Sequence, residues 1–185
     1  MFITPYNYGN QHTGSPVNLN IDKKSSMFKN DWDNSSNLSS TSGKSIKVYF
    51  KTPDMLYSGG NGTGLSFFLK YAEESTIDDP VIYAKGVDEK GNEFEQTVSV
   101  NNIDPSNATY VEMRALEAHN HVYHGIMKMS SLPLESGQMA LHDRRNFFDM
   151  YKEGIKNFNT LKRYDLSAVY EQCYQSYLDI AAGQK

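Results

Sequence analysis

The chain has 185 residues, 38% of them hydrophobic and 22% charged, with a formal net charge of −4. That length fits one domain, or one domain with an arm, and the mild acidity argues against a dedicated nucleic-acid binder. No apolar run approaches the ~18 residues of a membrane span, and the single cysteine, Cys173, excludes an intramolecular disulfide framework and a zinc site built from several thiolates.

Residues 1–45 contain seven Asn and nine Ser, with apolar side chains scattered singly among them. Such a stretch buries too little apolar surface to offset the entropy of ordering it. It reads as an extended polar arm (1–45) ahead of a single domain (46–185). Within the arm, Val17-Asn18-Leu19-Asn20-Ile21 alternates as a half-buried strand would. Phe2, Tyr6, Tyr8, Phe28 and Trp32 are candidate anchors against a protein surface, because aromatic side chains combine apolar area with low conformational entropy. The opening residues MFITPYNYGN lack the basic and apolar regions of a standard secretory signal, so the expected compartment is the cytoplasm, or the exterior by a leaderless route.

From residue 46 the period is two. Ile46–Lys51 alternates and is broken by Pro53-Asp54; Gly59, Gly60, Gly62 and Gly64 predict a flexible loop. Strands are expected over Leu65–Tyr71, where the continuous apolar run Phe67-Phe68-Leu69 makes a helix the competing reading, and over Val81–Val87 and Phe94–Val100, the last two joined as a hairpin through Asp88-Glu89-Lys90-Gly91. After residue 103 the period becomes helical. Asp104-Pro105 predicts an N-cap followed by proline at the first helical position, Ala108, Val111, Ala115, Ala118 and Val122 give one apolar stripe, and Gly125 marks the end. A second helix is expected from about Asp143 to Asn159. A third is expected from an Asp165 cap, with Leu166, Val169, Cys173, Tyr177 and Ile180 as its stripe. Strands followed by helices predict an α+β fold: a small antiparallel sheet of about four strands (46–101) packed on about three C-terminal helices.

The stretch Lys85–Ala118 carries a D-x-x-G turn, an F-E-Q strand and a D-P-capped helix with V-E-M-x-A-L. In these features it resembles a group of uncharacterised bacterial hypothetical proteins. The resemblance covers at most a third of the chain and implies a bacterial source and a structural core, but no functional residues, because that group has no assigned activity.

Candidate chemistry is sparse. On the first helix, expected to run to Gly125, Glu117, His121 and His124 share a face and would offer two imidazoles and a carboxylate to a zinc-like ion, with His142 or Asp143 able to complete the set. The spacing is not H-E-x-x-H, and histidines at a helix C-terminus also serve the last carbonyls and the dipole. Gly59–Gly64 lacks the lysine of a phosphate-binding loop. Nine acids stand against two lysines between residues 73 and 104, whereas residues 128–163 carry an excess of basic side chains; this polarity suits self-association or an oppositely charged partner. Cys173 falls on an apolar stripe, as a buried inert thiol does. These features predict an interaction or self-assembly protein without catalytic activity or cofactor. Its partner would be itself or another protein, neither nucleic acid nor a membrane. The alternative is a metal-dependent hydrolase using Glu117, His121, His124 and His142.

Overall fold

A computed structural model describes residues 35–39, 45–124 and 129–183. All of them belong to one compact unit, Asp33–Lys185. The expected strand Val17–Ile21 and the anchors Phe2, Tyr6, Tyr8, Phe28 and Trp32 lie outside the described residues, as does Gly125; the first helix, expected to run up to it, ends earlier, at Asn120.

Strand β1 (Ser35–Ser39) pairs antiparallel with β2 (Ser45–Tyr49), so a two-stranded ribbon joins residues on either side of the change in composition. The main sheet contains β3 (Met55–Gly60), β4 (Ser66–Tyr71), β5 (Val81–Val87) and β6 (Glu93–Ser99) in sequential order, each antiparallel to the next. The sheet therefore has four strands, as expected, but its first strand is Met55–Gly60 and not the alternating run at 46–51. The glycines that suggested a loop hide this strand. Gly59 sits opposite Phe67, and the Phe67 ring packs against Tyr57 at 5.3 Å. The loop that remains, residues 61–65, is tied down. Asn61 Nδ2 donates to the Met139 carbonyl at 2.7 Å, and Gly62 N–H donates to the Gly137 carbonyl at 2.8 Å.

Register fixes which side chains face the helices. Phe67 lies between Gly59 and Gly86, and Leu69 lies between Tyr57 and Ala84. Leu65, Phe67, Leu69, Ile82, Ala84 and Val98 are buried in the core together with the apolar face of the first helix. A short 3₁₀ turn, Val100–Asn102, follows β6. The two-residue strand β7 (Ala108–Thr109) then leads into α1 (Tyr110–Asn120).

The expected cap at Asp104 is displaced. Asp104 instead accepts the Ser106 N–H at 2.9 Å in a tight turn, and α1 starts five residues later at Thr109. There a reciprocal capping box wins: Glu112 N–H donates to Thr109 Oγ1 at 3.2 Å, and Thr109 N–H donates to Glu112 Oε2 at 2.7 Å. The helix stops at Asn120 because His121 adopts the left-handed conformation, with φ of 53°.

The chain continues through β8 (Tyr123–His124), which pairs with β9 (Met129–Ser130), and through a 3₁₀ turn at Leu134–Gln138. Strand β10 (Arg144–Arg145) pairs back onto β7. This pairing uses the residues expected to start the second helix, so α2 spans Phe147–Thr160 from an Asn146 cap whose side chain accepts the Asp149 N–H. Lys162, with φ of 57°, turns the chain into α3 (Tyr164–Gly183). The contacts run in opposite directions along the two helices, with Phe158 and Gly154 against Tyr170, Tyr151 against Tyr177, and Phe148 against Tyr174. They form an antiparallel pair cemented by tyrosine rings. The fold is α+β.

Candidate functional site

Two polar constellations stand out, one closed and one open. The closed one is built on α1. Arg114 and Glu117 are three residues apart and so share a face. Arg114 Nη1 donates to Glu117 Oε2 at 2.6 Å, and the Glu117 side chain is 2% exposed. Glu117 Oε1 also accepts the Ser130 hydroxyl at 3.0 Å, the Ser131 N–H at 2.6 Å and the Ser131 hydroxyl at 2.8 Å. The Ser131 hydroxyl lies 2.7 Å from the Tyr177 hydroxyl, and Tyr151 donates its hydroxyl to the Ser131 carbonyl at 2.8 Å. Arg114 in turn reaches the Tyr110 hydroxyl through Nε and Nη2 and stacks on the Tyr57 and Tyr110 rings. Burial pushes the hydroxyls of Tyr57, Tyr151 and Tyr177 well above their ordinary range. A carboxylate this thoroughly satisfied has little capacity left for a substrate or an ion. The network's role is to hold β9 and the segment after it against α1 and the α2–α3 pair.

The open constellation is a cleft of about 410 Å³ beside β6, within the usual range for ligand sites. Its lining is mostly polar; the buried residues Val98, Ile103 and Leu141 contribute a small apolar part. One wall is β6 itself, over Gln96–Ser99; the opposite wall carries Thr109, Glu112, His142 and Arg144. Glu112 is already engaged by the capping box and by Arg144, whose Nη2 lies 3.1 Å away. Arg144 also donates from Nε and Nη2 to the Asn107 carbonyl. The charges on that wall therefore neutralise each other, while His142 is exposed.

The hydrogen-bond pattern fixes which way the β6 backbone points. Val100 N–H donates to the Pro80 carbonyl at 2.9 Å, and Asp88 N–H donates to the Asn92 carbonyl at 2.8 Å. In the register that pairs Val81 with Ser99, the even-numbered residues of β6 bond to β5. The N–H and C=O groups of Glu95, Thr97 and Ser99 therefore point outward. Among the described residues no strand lies beyond β6 to answer them.

The residues suggested for a metal do not come together. Sharing of a helix face by Glu117, His121 and His124 required a helix through residue 124, and the helix ends before His121. His124 is in β8, His142 is in the cleft on β6, and Glu117 is turned into the closed network. Among the described residues no group of three His, Cys, Asp or Glu is placed to hold a metal ion, which argues against the hydrolase alternative. His119 makes a different contact: its Nδ1 lies 3.0 Å from the Tyr71 hydroxyl, and burial lowers its pKa. Cys173 is 4% exposed, and burial together with the Glu117 carboxylate pushes its thiol up to about 11. Among the described residues no helix is long and apolar enough to cross a membrane.

The chain matches no protein-family model, no curated protein and no solved structure. The resemblance of residues 85–118 rests on those residues alone.

Proposed function

We propose that the chain is a non-enzymatic interaction or self-assembly protein whose N-terminal arm docks on its own domain or on a neighbouring subunit. The observation that supports this reading is the seating of Tyr49, the last residue of β2. Its ring meets Phe68 of β4 edge-on at 5.3 Å, and Ser58 of β3 donates its hydroxyl to the Tyr49 carbonyl at 2.5 Å. Phe68 and Tyr83 lie on the sheet face turned away from the helices, their rings 6.2 Å apart. That face therefore carries an aromatic patch beside polar side chains such as Lys70, Lys85, Glu95 and Thr97. The residues that follow the arm already use it. The closed state of the Arg114–Glu117 network favours the same reading, since the most strongly buried ionisable groups hold the fold together.

The test is removal of residues 1–32, which leaves β1 and β2 in place. Light scattering would give the mass in solution, and thermal melts the stability, of the full-length and shortened proteins. The reading requires a lower oligomeric mass or a lower Tm in the shortened chain. Identical mass together with identical Tm overturns it.

A further inference from the structure

The two edges of the main sheet are built differently. Edge strand β3 carries a register shift between Met55 and Tyr57, and the carbonyl of Leu56, the residue at that shift, accepts Lys51 Nζ at 3.2 Å. Devices of this kind stop an edge from recruiting another strand. Edge strand β6 has neither. Its seven residues pair with β5 without a shift and include no proline and no lysine. Glu95 is a charge on this edge, but Lys85 of β5 neutralises it at 2.7 Å. The cleft keeps the wall carrying Thr109 and Glu112 away from the strand. The outward N–H and C=O groups of Glu95 and Thr97 are therefore placed to meet an added strand.

The sequence of β6 fits a second β6. The outward backbone groups belong to odd-numbered residues, so an antiparallel copy must set odd positions opposite odd ones. Centring the pair on Glu95 would put Glu95 opposite Glu95, and like charges directly opposite are destabilising. Centring it on Thr97 would shorten the overlap to Glu95–Ser99 and set Val98 against Gln96. Centring it on Gln96 overlaps the whole strand and is self-complementary: Phe94 faces Val98, Glu95 faces Thr97, Glu93 faces Ser99, and Gln96 faces itself. Phe94 benefits most. It is half-buried, and its neighbour on β5 is Gly86, which offers it no side chain. Val98 of a second copy would cover its open side.

We propose that two copies of this chain join edge to edge through β6, antiparallel about Gln96, so that their four-stranded sheets become one continuous sheet. This inference rests on the self-assembly reading above and names its interface, but it makes no use of the arm. The contact is the same patch on both copies, and the guarded β3 edge adds no further strand, so assembly closes at the dimer. Main-chain hydrogen bonds between Glu95 and Thr97 supply the affinity, and the facing side chains set the register.

Sedimentation equilibrium of the full-length protein tests this. The parent should show a reversible monomer–dimer equilibrium. Residue 97 reports the register, because its side chain is exposed and would face Glu95 of the other copy. Thr97→Lys should tighten the dimer by about fivefold, and Thr97→Glu should weaken it by a similar factor, since each change acts at two symmetric cross-strand pairs. Thr97→Pro removes an outward N–H at an edge position where proline is tolerated, and should shift the protein towards monomer. Where Thr97→Pro melts early, the lysine and glutamate variants decide. A parent that stays monomeric up to its solubility limit overturns the proposal, as does a dimer that none of these substitutions moves. Weakening by Thr97→Lys would mean that Thr97 faces Thr97, and overturns the Gln96-centred pairing. A dimer that responds to removal of residues 1–32 but not to residue 97 sinks this proposal and leaves the arm reading standing. The opposite response, with Tm unchanged on removal of the arm, sinks the arm reading and supports pairing through β6.

Discussion

Glu117 lies one turn after Arg114 on α1, and the 2.6 Å contact between them is almost sealed from water, with side-chain exposures of 2% and 13%. Removing one member of such a pair strands the other charge in a poorly solvated site, which generally costs about 3–5 kcal/mol. Glu117→Ala should lower the unfolding free energy by about that much in urea titrations, since it also strips acceptors from Ser131. Replacing both residues with apolar ones should cost clearly less than the sum of the single changes, because no uncompensated charge remains. A loss below about 1 kcal/mol for Glu117→Ala would mean that water reaches the pair freely.

The tyrosines and the cysteine around this pair predict how stability responds to alkali. Cys173 titrates at about 11 in the folded protein, whereas an exposed thiol does so near ~8.5. Tyr151 and Tyr177 are displaced in the same direction, with burial as the largest cause in each case. A folded-state pKa above the unfolded one means that the folded protein holds its proton more tightly. The associated stability is complete below the unfolded pKa and is lost as pH rises toward the folded value. Urea midpoints should therefore be flat near neutrality and fall steadily above about pH 9. Cys173 should react with a thiol reagent at pH 8 only as fast as the protein opens. Prompt stoichiometric labelling of the folded protein would contradict this placement.

Gly86 shows how tightly the sheet is packed against its neighbours. A Cβ there would meet the Ser66 carbonyl oxygen and would lie 2.5 Å from the Phe67 Cβ. Phe67 is fully buried and packs against Tyr57, Phe94 and Tyr110, so it cannot yield without disturbing the core. Gly86→Ala should destabilise by about 1–3 kcal/mol or more through overpacking. Gly91→Ala serves as a contrast. It has open space around it, and its cost would come from its φ of 87°. Equal Tm for Gly86→Ala and the parent protein would disprove the close approach.

The long-period features of this fold are legible in the residues. Val81–Val87 and Glu93–Ser99 fall where alternation and the Asp88–Gly91 turn put them, and the stripes on α2 and α3 face the core. Other features are not legible, for identifiable reasons. Met55–Gly60 carries two glycines that weaken its strand signal, yet they make room for the Tyr57 ring and for the Leu65 carbonyl and Ser66. Asp104-Pro105 and Thr109-x-x-Glu112 are both credible helix starts. The pairing of β10 with β7, a contact distant in sequence, favours the second. The Glu117–Ser131–Tyr177 network spans sixty residues and leaves only the Arg114–Glu117 spacing as a local trace. The cleft beside β6 depends on which backbone groups bond to β5, and side-chain alternation alone does not reveal that.

The competition between the two helix starts yields a direct test. Thr109 holds the N3 amide and receives the Glu112 carboxylate on its own N–H, so Thr109→Ala removes one capping bond and disturbs the second. Loss of such a cap typically costs about 1 kcal/mol, with a range of about 0.5–2 kcal/mol. Glu112→Ala should cost slightly more, because it also releases Arg144 from the cleft wall, although that ion pair is half-exposed and adds little by itself. Asp104→Ala touches a surface turn and not the helix, so its effect on α1 should be smaller. Amide exchange separates the three variants. Thr109→Ala and Glu112→Ala should speed exchange in the first turn of α1, and Asp104→Ala should leave that turn protected. Faster first-turn exchange in Asp104→Ala than in Thr109→Ala would move the helix start back to residue 105.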